Sequence, residues 1–73
     1  MSDTMMSTTD RLVYMANQIA GFFKTQPGTD VAARVADHIR DFWEPRMREQ
    51  LVAFVGGGGQ GLKPSAEAAA RLL

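Results

Sequence analysis

The stretch Val35–Val55, VADHIRDFWEPRMREQLVAFV, decides the fold, because one proline divides a helical pattern in two. On its N-terminal side Val35, Ile39 and Phe42 recur at helical spacing, and Val31 extends the stripe backwards. On its C-terminal side Met47, Leu51, Phe54 and Val55 repeat that spacing. Pro45 has no amide hydrogen to give and its ring clashes inside a continuous helix, yet it suits the first turn of a new one. The pattern predicts a sharp bend at Glu44–Pro45, between a helix ending near Trp43 and another ending near Val55. A single helix kinked at Pro45 satisfies the same periodicity.

Upstream, Leu12, Met15, Ala16, Ile19, Phe22 and Phe23 fall on one helical face. Thr9 or Asp10 caps the start of this first helix, since either side chain accepts hydrogen bonds from unpaired amides. TQPG (25–28) ends it, because Pro27 disfavours helical geometry at Gln26 and Gly28 permits a turn. Thr29 or Asp30 then caps the second helix. Residues 1–8 read as a disordered, polar terminus. Downstream, GGGGQGLKP (56–64) has large backbone freedom and reads as a flexible linker. Ser65 caps a short alanine-rich helix over 65–73, too short to persist alone in water; Leu62, Leu72 and Leu73 are there to attach it to the body or to a partner. With no strand-like alternation, the expected class is all-α: a small three-helix domain over 9–55, a glycine linker and a short C-terminal helix.

Seventy-three residues make one domain at most. The few large apolar side chains between Leu12 and Val55 make independent stability marginal, and a partner surface would relieve that. Eight basic residues balance eight acidic ones, which argues against nonspecific nucleic-acid binding. The absence of cysteine excludes disulfides, thiolate zinc sites and cysteine-ligated clusters, and suits a reducing cytoplasm. MSDTMMSTTD has neither a basic start nor an apolar centre, so it does not read as a signal peptide. LVAFV (51–55), the longest apolar run, is far too short to span a bilayer, so no membrane role is expected.

No catalytic constellation emerges. Gly56 and Gly61 have the spacing of a phosphate loop, but Lys63 comes one place late, Pro64 follows it, and a helix precedes the run. His38, the lone histidine, lacks companion ligands and reads as a boundary residue beside Val35 and Phe42, hydrogen-bonded to a neighbour. Serines occur only at 2, 7 and 65, in segments read as too mobile to hold an oxyanion hole. Asn17 and Gln18, with Gly21 one turn beyond Asn17, form a polar notch that suits either solvent or a closely approaching backbone.

The junction at Pro45 carries two readings. In one, Phe42 and Trp43 both seal the helical body while Arg40, Arg46 and Arg48 pair with Asp41, Glu44 and Glu49. In the other, Phe42 points inward and Trp43 outward among arginines, the residue types that dominate interface energies.

LVYMANQIAGFF (12–23), VADHIRDFWEPRMREQL (35–51) and GGGGQGLKP with its alanine-rich end resemble, in the same order, the delta subunit of bacterial NAD-dependent formate dehydrogenases. MANQI and FWEPRMR are the specific parts. The resemblance implies an accessory, non-catalytic chain in a cytoplasmic complex that oxidises formate to carbon dioxide and reduces NAD. It implies an alpha subunit with a molybdenum or tungsten pterin and iron–sulfur clusters, and beta and gamma subunits with FMN, further clusters and the NAD site. It also implies that this chain binds alpha and supports assembly or stability, with Asn17, Gln18, Phe42, Trp43, Pro45, Arg46 and Arg48 as contact candidates and no cofactor of its own. The rival reading is a free-standing helical regulator or adaptor, weakly DNA-binding. That reading wants a basic recognition helix, whereas PRMREQLVAFV turns apolar after one turn.

Overall fold

The computed structural model describes residues 7–25 and 30–73. Most of the expected disordered terminus (1–6), the Pro27–Gly28 stop and Thr29 as a cap lie outside the described residues. Among the described residues the chain is all-helical, with α1 Thr8–Lys24, α2 Val31–Phe42, α3 Pro45–Gly56 and α4 Pro64–Arg71.

Local chemistry sets each boundary. α1 starts earlier than expected, because Ser7 rather than Thr9 or Asp10 is its cap. The Ser7 hydroxyl accepts from the Asp10 N–H at 3.1 Å, and the Asp10 carboxylate accepts from the Ser7 N–H at 3.2 Å, a reciprocal capping box. α2 is capped by Asp30, which accepts from the Ala33 N–H at 3.2 Å. Trp43 (φ −88°, ψ 144°) and Glu44 (φ −68°, ψ 151°) are both extended, so the helix breaks fully before Pro45 opens α3. The kinked single helix is thereby excluded. Pro64 likewise opens α4, leaving Ser65 inside the first turn instead of at the cap.

All four helices share one core, built from Leu12, Ala16 and Ala20 of α1, Val35, Ala36 and Ile39 of α2, Trp43, Leu51 and Val55 of the α3 side, and Ala66, Ala69 and Ala70 of α4. Half of these buried residues are alanines, which lets helix backbones approach closely. α4 packs most extensively against α2. The short C-terminal helix is therefore a wall of the core.

The glycine segment differs from its expected form as an open linker. Gly56 still belongs to α3, and the N–H groups of Gly57, Gly58 and Gly59 donate back to carbonyls of Ala53, Phe54 and Val55 at 3.0–3.1 Å. Gly59 is buried with φ +66°, and Gly61 has φ +94°, conformations that side-chain-bearing residues rarely adopt. Glycine here makes a tight, hydrogen-bonded turn that brings α4 back onto the body.

The expected inner faces are only partly correct. Met15, Phe22 and Phe42 were placed in the core but are exposed. α1 and α2 turn small residues inward instead (Ala16, Ala20 and Ala36), which rotates the aromatic edge of each stripe outward.

Candidate interaction surfaces

Two flanks of α1 frame the candidate residues. On one, the half-buried Asn17 bridges to the glycine turn: its Nδ2 donates to the Gly61 carbonyl at 3.0 Å, and its Oδ1 accepts from the Lys63 N–H at 2.9 Å. Gln18 beside it is exposed. Asn17 thus spends both ends of its amide inside the chain, joining residues more than forty positions apart.

At the helix junction the structure reverses the outward reading of Trp43. Trp43 is buried, with 6% of its surface exposed, whereas Phe42 is 73% exposed. The reading in which both seal the body fails as well, for Phe42. Trp43 lies beyond the last helical residue, so its extended backbone, not the 100° helical step, aims its side chain at the core.

Arg40 and Arg48 also find different partners from those expected. Arg48, half-buried, donates through Nη1 to the carbonyls of Trp43 at 2.9 Å and Arg40 at 3.3 Å, closing the C-terminal end of α2. Arg40 pairs with Asp37 at 3.1 Å and donates to the Leu72 carbonyl at 2.6 Å, tying α2 to the end of α4. Arg46 and Pro45 are exposed on the first turn of α3. Because α3 commits Leu51 and Val55 to the core and Arg48 to α2, it does not present the row of cations that a DNA-reading helix needs.

The other flank of α1 carries a row of rings that sequence reasoning did not assemble. Phe22 and Phe23 meet edge to face with centroids 5.2 Å apart. Phe23 and His38 follow at 6.2 Å, and His38 and Phe42 lie tilted at 4.7 Å. His38 lies beside Phe42, as expected, and also meets Phe23. Gln18, Ile19, Phe22, Phe23 and His38 line an open recess of about 260 Å³. A signal for this face was present: consecutive Phe22 and Phe23 cannot both lie at the centre of one helical stripe.

Among the described residues, no three His, Asp or Glu side chains converge to hold a metal ion. The glycine turn is no phosphate cradle, since the N–H groups of Gly57, Gly58 and Gly59 are directed at α3 carbonyls. Among the described residues, no helix is long and apolar enough to cross a membrane.

The family model for the NADH-dependent formate dehydrogenase delta subunit, FdsD, matches residues 11–70. No curated protein and no solved structure matches the chain.

Proposed function

We propose, from the premise that this chain belongs to the FdsD family of formate dehydrogenase delta subunits, that it is a non-catalytic assembly subunit of that enzyme. A delta subunit has the other subunits of the complex as partners. The one assigned here is the catalytic alpha subunit, the carrier of the molybdenum or tungsten pterin and of iron–sulfur clusters, with beta and gamma, their FMN and their NAD site reached through it. The complex acts in the cytoplasm.

The observation that carries this reading is the extent of the family match, which runs from α1 into the last turn of α4 and so includes every element of the shared core. Of the contact candidates, Gln18, Phe42, Pro45 and Arg46 are exposed and free to meet alpha, while Asn17, Trp43 and Arg48 act through the fold that presents them. A marginal domain gains stability from such docking, because binding to the folded state alone shifts the folding equilibrium.

The test is expression of alpha, beta and gamma with and without this chain. The expected result is that the chain co-purifies with alpha even when beta and gamma are omitted. Its removal should lower the yield of assembled enzyme more than the turnover of what assembles. Failure to co-purify with any subunit, or formate oxidation by the isolated chain, contradicts the reading.

A further inference from the structure

We propose that the recess between the last turn of α1 and the start of α4 binds a phosphate group. Ala20, Gly21, Lys24, Lys63, Pro64 and Ser65 line a pocket of about 220 Å³ there. The chain has only two lysines, and both stand on this one recess although one ends α1 and the other precedes α4. Their approach is built into the fold. Lys24 lies in the last turn of α1, and Asn17 of the same helix accepts from the Lys63 N–H at 2.9 Å, which holds the second lysine's backbone against α1. Gly21, between Asn17 and Lys24, has open space where a side chain would stand, so the recess keeps its depth.

Two cations brought to one recess repel each other unless an opposite charge joins them. The chain itself supplies none. No Asp or Glu lines this recess or the adjoining one, of about 330 Å³, which shares Gly21 and Lys63 with it. Among the described residues the ion pairs are Arg40–Asp37 and Arg71–Glu67, so neither lysine has a carboxylate partner.

Charge then selects the ligand. A phosphate group carries a charge of about −1.5 to −2 near neutral pH, the amount that two lysines balance, whereas one carboxylate answers only one of them. Lysine meets phosphate as a point charge on a flexible stem, so it does not need the fixed fork of an arginine. The Ser65 hydroxyl, on the same recess, adds a hydrogen-bond donor.

The experiment titrates the chain with inorganic phosphate and follows its backbone amides by nuclear magnetic resonance, with sodium chloride at equal ionic strength as the control. Wild type is compared with Lys24→Gln/Lys63→Gln and with Gly21→Glu, which sets a carboxylate in the recess where there is room for it. Circular dichroism confirms that each variant is helical. The expected result is saturable shifts centred on Gly21, Lys24, Lys63 and Ser65 in wild type. Both variants should bind at least about tenfold more weakly, since one loses the charge-assisted hydrogen bonds and the other opposes them. Wild-type shifts that fail to saturate, or that chloride reproduces, overturn the proposal. Undiminished binding by helical variants overturns it too. Adenosine monophosphate as a second probe separates the sources: tighter binding than inorganic phosphate supports an esterified phosphate in the recess, and weaker binding supports the free ion.

Discussion

Asn17 and Phe22 stand on different flanks of α1: hydrogen bonds tie the first to a distant turn, whereas the second meets the neighbouring ring of Phe23 and stays 62% exposed. The Asn17 flank is closed by two hydrogen bonds to a glycine turn, behind which α4 completes the core with alanines. Among the described residues, the Phe22 flank carries larger side chains, of which Phe22 and Phe42 are exposed. Side-chain size alone therefore does not separate core from surface: Trp43 is buried and Phe42 beside it is exposed. Six alanines share the core with Leu12, Ile39, Trp43 and Leu51, while Phe22 and Phe42 stay on the surface.

The sharpest way to break this contrast is at two consecutive aromatics. Trp43→Ala removes a buried ring where α2 turns into α3 and should destabilise the chain by about 3–5 kcal/mol, enough to unfold a domain of this size. Phe42→Ala, one residue earlier, should leave the far-ultraviolet circular dichroism spectrum and the urea midpoint nearly unchanged. Equal losses from the two would erase the distinction.

A smaller effect is expected in the glycine turn. Gly59→Ala forces a side chain onto a residue with φ +66°, at a cost of about 1–2 kcal/mol. The added methyl meets Val55 Cα at an ordinary 3.6 Å, so the cost comes from the backbone and not from a clash. If urea unfolding shows Gly59→Ala to be neutral, the turn is not holding α4 in place.

Asn17→Ala should cost about 1 kcal/mol, because the Gly61 carbonyl and the Lys63 amide it releases lie near solvent and find water. At the bottom of the scale, Phe22→Ser in the isolated chain should shift stability by less than about 0.5 kcal/mol. A calorimetric melt of both variants ranks the flanks directly. A larger loss for Phe22→Ser would mean that the ring row belongs to the fold.

The helical class, the start of α3 at Pro45 and the Asp30 cap were legible because each rests on local rules: periodicity, a missing amide hydrogen and a capping carboxylate. The Ser7–Asp10 box was legible too, but Thr9 and Asp10 competed for the same role and the reciprocal spacing went unused. The inward turn of Trp43 was not legible, since it depends on the helix ending one residue earlier and on extended backbone at 43 and 44. Nor was the place of α4. Its alanines count for little by side-chain size, and only the approach of α2 shows what they do. As for interaction, Phe42 and Gln18 were chosen from sequence and stand on the exposed side. The row of Phe22, Phe23, His38 and Phe42 was not assembled from sequence, because it joins residues from two helices that periodicity treats separately.

On the proposed reading, the Phe42 side meets the catalytic subunit while the glycine-turn side serves the fold. The most direct measurement is photocrosslinking in the assembled enzyme, with a photoreactive phenylalanine analogue replacing either Phe42 or the exposed Gln60 of the turn. The expected result is a crosslink to the alpha subunit from position 42 and little from position 60. A crosslink to alpha from position 60 with none from position 42 would contradict it.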